Sequence, residues 1–564
     1  MNTLTQEELI REVSGEVLMN HTKHISKEVR LSGSDEELRA FHYVKTQLET
    51  YGLKTHLLFQ DAYISIPLEA TVTVGETTIT GITHSMAPST AKEGVKGEII
   101  YCSDLTNNIN IEGKIAILEG IALPSSVETV EKRGAIGVIF INGPYTHEMI
   151  VSTVWGNPTP GAVYPSIPVM SVNDEDGEII KQYTECVLYT KVDTSWRKVP
   201  ALTAEIRGNV EPDHFLMFSG HIDSWHYGAM DNATANATML ETARILSQQK
   251  HQLIRSVRFA FWSGHSHGRY AGSASYCDSH FEDLYNHCFL HIYVDSVGGK
   301  GATILGESNC MAETKGLASK VIQSQTNETF IGKRFSRAGD QSFWGAGIPS
   351  LYMGMSEQEL TNDPASQALF KLFGGQKAGG FGWWWHTTED TLDKIDEENL
   401  VRDCKVYVAT IYEACTAPIL PLDYRETIQE FIQTVDNYQE LMGSSFTLRT
   451  TIERLQLLNE NVNLFYHNMR KLSSTEQEIQ DYNSTILKLS KILVPLGYVE
   501  GDLFDHDLAA STTPVPLLRI ANNFAQTDEY TIEYYQLKTL LQRRINKVNF
   551  NLQKAIDLVQ SNVY

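Results

Sequence analysis

The chain has 564 residues, 42% hydrophobic and 20% charged, an ordinary globular composition in a chain too long for one core. At about 100–200 residues per domain, about three domains are expected. A formal net charge of −23 excludes the concentrated basic surface that nucleic acid or an anionic membrane would require.

The opening MNTLTQEELIREV lacks a basic stretch followed by an apolar core, and no later segment is apolar over about 18 residues. Neither a secretory leader nor a membrane span is expected. Cys102, Cys186, Cys277, Cys288, Cys310, Cys404 and Cys415 are odd in number, scattered and without a CxxC pair. They read as reduced buried thiols, which predicts a cytoplasmic protein.

Residues 1–60 read as helix followed by strand. TQEELIREV and DEELRAFHYVKTQLETYGL carry apolar residues at helical spacing. Ser34 is placed as an N-cap and Gly52 as a C-terminal stop before KTHLLFQ. Residues 61–200 change to short β-rich runs such as ATVTV, TTITG, GEIIYC, GVIFIN and SIPVMSV, punctuated by Gly, Asn and Pro. One helical stretch, SSVETVEKRGA, interrupts them. This block reads as a β-rich module, a small sandwich or barrel, inserted into another domain, and no chemistry is expected in it.

From about 201 to 420, apolar strands (FLMFSG, SVRFAFWSG, FLHIYVD) alternate with helical segments. That pattern predicts an α/β domain of three layers around a mostly parallel sheet, formed with residues 1–60. Sites in such folds lie at the carboxyl ends of strands, where His221, the 264–269 segment and Asp295 stand. After about Pro421 the strands stop. Helical spacing dominates 424–496 and 527–562, predicting a helical bundle over 421–564 with runs too interrupted for a long coiled coil.

The chemistry is concentrated in SGHIDSWHYGAMDNATAN. His221 ends a strand, Asp223 follows it, and Asp231 opens a helix where cap hydrogen bonds would orient its carboxylate. Imidazole and carboxylate are both zinc ligands, and Asp223 suits orientation of His221. Asp295 ends the FLHIYVD strand, and His386 follows a Gly-rich stretch in WWWHTTEDTLDKID.

GHIDSW…GAMDNATA, YVDSVGG and HTTEDTLDKID together resemble the M28 family of zinc peptidases, which includes aminopeptidases and glutamate carboxypeptidases. The resemblance covers about residues 1–420. GKIAILEG, EKRGAIGVIFIN and IPVMSVNDEDGEII resemble a protease-associated domain in its family place. The tail resembles the helical dimerisation domain of the carboxypeptidase and transferrin-receptor branch, which implies a homodimer. Carried over by position, the resemblance implies that His221, Asp231 and Asp295 hold one metal and that Asp231 bridges to a second, held also by His386.

The chain departs from the family at one point. Where the family has two consecutive glutamates, a general base and a metal ligand, FAFWSGHSHGRYAGS places His265 and Ser266 without a gap. Asp231 and Asp295 are then the matched ligand carboxylates, enough to offset one dication, so one tightly bound zinc ion is expected. Three readings of His265 stand open: proton shuttle, metal ligand, or remnant of a decayed site. His267 is a candidate further ligand, and Arg269 a candidate contact for an anionic substrate group or a surface carboxylate. Asp340, in RAGDQSFWGAGIPS, matches the family segment near the substrate pocket. Trp225, Tyr227, Trp344 and Trp383–Trp385 are candidates for an aromatic pocket wall.

The expected activity is metal-dependent hydrolysis of an amide or peptide C–N bond in a small-molecule or short-peptide substrate, with His265 and Asp223 in catalytic roles. A non-peptidase enzyme and a non-catalytic binding relative are the alternatives.

Overall fold

The computed structural model describes residues 5–103, 105, 109–469 and 475–562. Among them the strands are β1 (Lys54–Val74), β2 (Thr77–Thr83), β3 (Val95–Cys102), β4 (Ile115–Glu119), β5 (Gly137–Ile141), β6 (Val169–Val172), β7 (Glu185–Ile206), β8 (Glu211–His221), β9 (Arg255–Trp262), β10 (Cys288–Tyr293) and β11 (Ser350–Leu351).

Two long strands organise the molecule. β1 and β7 pair antiparallel from Lys54 opposite Glu205 to Thr73 opposite Val187. Both run unbroken past residues 60 and 200, where the sequence pattern changes, so the β-rich block joins the α/β part through two paired strands. Pro67 lacks an N–H to give the ladder, and the register shifts just after it.

At their outer ends β1 and β7 belong to a hydrogen-bonded circuit, β1-β2-β6-β5-β4-β3-β7, which the β1–β7 pairing closes. Val72, Val74, Ile117, Ile139 and Leu188 fill its interior as a separate apolar cluster. At their inner ends the sheet continues β7-β9-β8-β10-β11, in which β9, β8, β10 and β11 are parallel. Alternation along β8 serves both faces of this sheet. Phe215 and Met217 pack with Ala260, Tyr276 and Leu284, whereas Leu216 and Phe218 join the main core with Leu240, Phe259 and Leu400. The fold is therefore mixed α/β with a large, mostly parallel sheet, as expected.

Local signals behave as the sequence predicts. The Ser34 hydroxyl accepts the Glu37 N–H at 3.1 Å and starts the helix Asp35–Thr50, and Gly52 ends it with φ 84°. The C-terminal part is helical, with Tyr424–Met442, Arg449–Met469, Glu476–Tyr498 and Ile532–Gln560 as its longest helices. Between the last two the chain turns back. Ala509 N–H donates to the Thr153 carbonyl at 2.8 Å and Arg337 N–H to Ala510 at 3.1 Å, so this segment touches both the β-rich block and the α/β part. No helix among the described residues is long and apolar enough to cross a membrane. All seven cysteines are buried and free.

Candidate metal centre

The carboxyl ends of β8, β9 and β10 lie side by side because these strands are parallel, and they bring His221, His265 and Asp295 together. His221 Nε2 lies 3.3 Å from Asp231 Oδ1 and 3.5 Å from Asp295 Oδ2. His386 Nε2 lies 3.2 Å from the other Asp231 oxygen, Oδ2. All four sequence-matched ligands thus meet, with Asp231 between the two imidazoles.

Each imidazole is held by its far nitrogen. His221 Nδ1 donates to the Asp223 carbonyl at 2.9 Å, and His386 Nδ1 to the Glu148 carbonyl at 2.7 Å. Asp223 therefore orients His221 mainly through its backbone, its carboxylate standing 3.4 Å away. That carboxylate accepts Ser32 Oγ–H at 2.6 Å and Ser266 N–H at 2.8 Å. Burial alone would raise its pKa, but His221 beside it holds it below the usual carboxylate range.

Asp231 is held differently from the expectation. It has non-helical φ/ψ in a turn ahead of the helix Ala235–Gln248, and the Asp390 carboxylate fixes that turn. Asp390 accepts Met230 N–H at 2.8 Å and Asp231 N–H at 2.9 Å. Burial pushes Asp390 up to about 7. Behind it the fully buried Arg30 donates to the carbonyls of Ile222, Tyr227 and Gly228, pinning the loop that carries Asp223. Asp390 and Arg30 were not singled out from sequence, although Asp390 lies within HTTEDTL.

His265 is aligned by Asp340. Its Nδ1 donates to Asp340 Oδ2 at 2.9 Å, its ring stacks on His221 with centroids 3.7 Å apart, and its Nε2 lies 3.9 Å from Asp295 Oδ2. Asp340 is fully buried and also accepts Ser273 Oγ–H at 2.7 Å. The Tyr293 hydroxyl lies 3.0 Å from both Asp340 Oδ2 and Asp295 Oδ2, so its single proton is shared between them.

Other candidates lie elsewhere. His267 is buried behind the site, against Trp225 and with Nδ1 2.9 Å from Ser32 Oγ; burial pushes it down to about 3. It supports Asp223 through Ser32 and lies outside the cleft lining, because the turn at 264–269 sends it to the opposite side from His265. Arg269 does lie in the cleft wall, yet its guanidinium donates to the Ile150 and Ser152 carbonyls and pairs with no carboxylate among the described residues. Trp225 and Trp385 line the cleft, whereas Trp344 packs on Tyr498 and Trp383 on Tyr145. Tyr227 is exposed outside it.

The cleft has a volume of about 480 Å³ and opens over Asp231, His265, Ser266, Asp295 and His386. Its walls come from three parts of the chain, including Met149 and Ile150 of the β-rich block and Ala509–Ser511 of the helical part. The β-rich block also supplies the backbone that holds His386, since Glu148 N–H donates to the His386 carbonyl at 3.0 Å. A module expected to stand apart from the chemistry thus forms part of the site.

These donors fit a metal ion. His221 Nε2 and Asp231 Oδ1 are buried and have no hydrogen-bond partner among the described residues. With Nδ1 donating, the Nε2 lone pair of neutral His221 faces carboxylate oxygens, an arrangement that requires a proton or a cation between them. Ligand-to-metal distances of about 2.0–2.2 Å in tetrahedral geometry bring ligand atoms to roughly this separation. His221, His265 and Asp295 are grouped tightly enough to share one ion, their ligand atoms lying within 4.8 Å of one another. Ser266 lines the same cleft, and its backbone N–H is given to Asp223.

Residues 201–411 match the model of peptidase family M28. Aminopeptidase YwaD of Bacillus subtilis (strain 168) is 24% identical over 329 residues, covering 56% of this chain and 65% of that protein. Aminopeptidase NAALADL1 of Rattus norvegicus is 22% identical over 372 residues, covering 57% of this chain and 47% of that protein. The solved structure of a zinc aminopeptidase from Bacillus subtilis superposes with a TM-score of 0.54 at 20% identity, over 71% of this chain and 95% of that one. The chain spans less than two thirds of the length of these two curated relatives, and the likeness to the solved structure is one of fold.

Proposed function

We propose that this chain, whose residues 201–411 form a peptidase family M28 domain, is a metal-dependent hydrolase of a peptide or amide C–N bond with one tightly held zinc ion. The observation that supports this most is the convergence of the partnerless His221 Nε2 and Asp231 Oδ1 with Asp295 at the floor of a cleft. Two carboxylates offset one dication, and Ser266 is a weak ligand for a second. When bound, zinc would polarise the scissile carbonyl and make water acidic enough to react near neutral pH.

The protein's own groups do the rest. His265 takes the proton from the attacking water at Nε2 and returns it to the leaving nitrogen, while Asp340 keeps Nδ1 protonated and the ring aligned. Trp225 and Trp385 shield the reacting bond and seat an apolar part of a small or short-peptide substrate. The seven buried free thiols support a reducing, cytoplasmic location. The organisation we propose is an M28-like domain of residues 1–60 and 201–420, a protease-associated module of 61–200 and a helical domain of 421–564.

The test combines two variants with zinc analysis. His265→Ala is expected to lower kcat by about 10²–10⁴-fold while one zinc per chain is retained. Asp340→Asn is expected to cost about 10–100-fold, again without loss of metal. Unchanged turnover in His265→Ala removes its acid–base role, and zinc loss in that variant makes His265 a ligand instead. Two tightly held ions per chain would overturn the single-ion centre.

A further inference from the structure

The catalytic cleft does not end at the metal centre. Pro124, Glu128 and Thr153 line it and also line a second cavity of about 560 Å³. That cavity lies between residues 151–165 of the β-rich block and residues 504–508 of the helical part.

Its chemistry differs from that of the cleft. The cleft wall carries Arg269, Arg337 and Lys371. The second cavity has four carboxylates, Glu128, Glu131, Asp278 and Asp505, and neither lysine nor arginine in its lining. Glu128 is paired with Lys132, Glu131 accepts from Ser166 and Asp278 pairs with His506 at 3.0 Å, but Asp505 is exposed and has no partner among the described residues. Three large apolar side chains in the same lining stand open to solvent: Val163 is 82% exposed, Phe504 69% and Leu508 58%. A lone exposed apolar residue means little, but several in one concave surface mark a place that binds something. Tyr164, also in the lining, has a buried hydroxyl without a hydrogen-bond partner among the described residues.

We propose that this second cavity is a subsite for the distal residues of an extended peptide, and that it selects basic and apolar side chains there. Continuity with the cleft through Glu128 and Thr153 makes the occupant part of the substrate, and the lining charge sets its sign. The inference rests on the hydrolase reading above and adds a substrate class to it: peptides several residues long, basic and apolar away from the scissile bond.

The test uses two fluorescent hexapeptides with identical terminal residues, their middle positions alternating leucine with lysine or leucine with glutamate, beside a short aminoacyl amide. The leucine–lysine peptide is expected to have a KM at least about tenfold lower than its glutamate counterpart. Asp505→Lys and Phe504→Ala change exposed residues far from the metal ligands. Each should shrink that difference about fivefold or more and leave hydrolysis of the short amide unchanged. Equal KM values for the two hexapeptides, or a difference insensitive to both variants, would overturn the subsite. If nothing is hydrolysed, the hydrolase reading fails on its own, and fluorescence anisotropy of the same peptides decides the subsite: tenfold discrimination abolished by Asp505→Lys upholds it, and equal binding overturns it.

Discussion

His84, His267 and His291 are each enclosed by protein, and burial pushes each down to about 3. His84 shows how a neutral ring is used. Its Nδ1 accepts Met149 N–H at 3.2 Å and its Nε2 donates to Ser171 Oγ at 2.8 Å, so it needs one bare and one protonated nitrogen. A second proton would break the bond to Met149, next to the Glu148 backbone that holds His386. The sign of the pH dependence follows. The folded state binds fewer protons than the unfolded one below about 6.5, so the stability is full above that pH and is lost as pH falls through it toward 3. The buried carboxyls of Glu313 and Asp390, pushed up to about 7, act in the opposite direction, so the comparison must be between variants. In urea titrations between pH 7.5 and 4.5, the advantage of wild type over His84→Asn should shrink by about 1.4 kcal/mol per pH unit below 6.5. A constant difference would mean that His84 is protonated in the folded protein.

At the scale of elements, the loops after β8, β9 and β10 carry the site, and their shape depends on buried groups far away in sequence. Arg30 donates to the carbonyls of Ile25, Glu28, Ile222, Tyr227 and Gly228, a fan of bonds that a lysine ammonium cannot reproduce. Arg30→Lys should lower unfolding free energy by about 3 kcal/mol, read from urea denaturation, because several buried carbonyls lose their donors. A change below about 1 kcal/mol would show that the loop keeps its shape without them. The same long separations explain what the sequence disclosed. His221 and Asp295 were legible because each ends an apolar run at a strand tip, and Asp231 and His386 because they lie in recognisable motifs. Arg30, Asp340, Asp390 and Ser32 were hidden or undervalued, since each acts on residues brought near only by the fold. His267 misled because it stands two residues from His265, and a turn rather than a strand decides which way each one points.

For the whole molecule, the helix Ile532–Gln560 leaves Ile532, Tyr535, Leu540 and Phe550 exposed, and the first three line a shallow groove. We propose that a second copy of the chain covers this surface. Light scattering after size exclusion at about 10 µM should give twice the 63.3 kDa chain mass, and Tyr535→Glu should give the single mass. A wild-type monomer at that concentration would remove the proposal. The sequence pattern changes near residues 60 and 200, whereas the strands that cross those positions leave no mark on it. A strand that continues past a boundary carries no turn signal to mark it, and its partner lies well over a hundred residues away.

That crossing pair has a mechanical meaning. Two strands hydrogen-bonded over some twenty residues form a stiff beam anchored at both ends, in the closed circuit and in the parallel sheet. The register shift after Pro67 bends the pair without ending it, so the block is tied to the α/β part by continuous strands rather than by two loops. The bonds between Glu148 and His386 therefore belong to the folded framework of the cleft and need no separate closure to form.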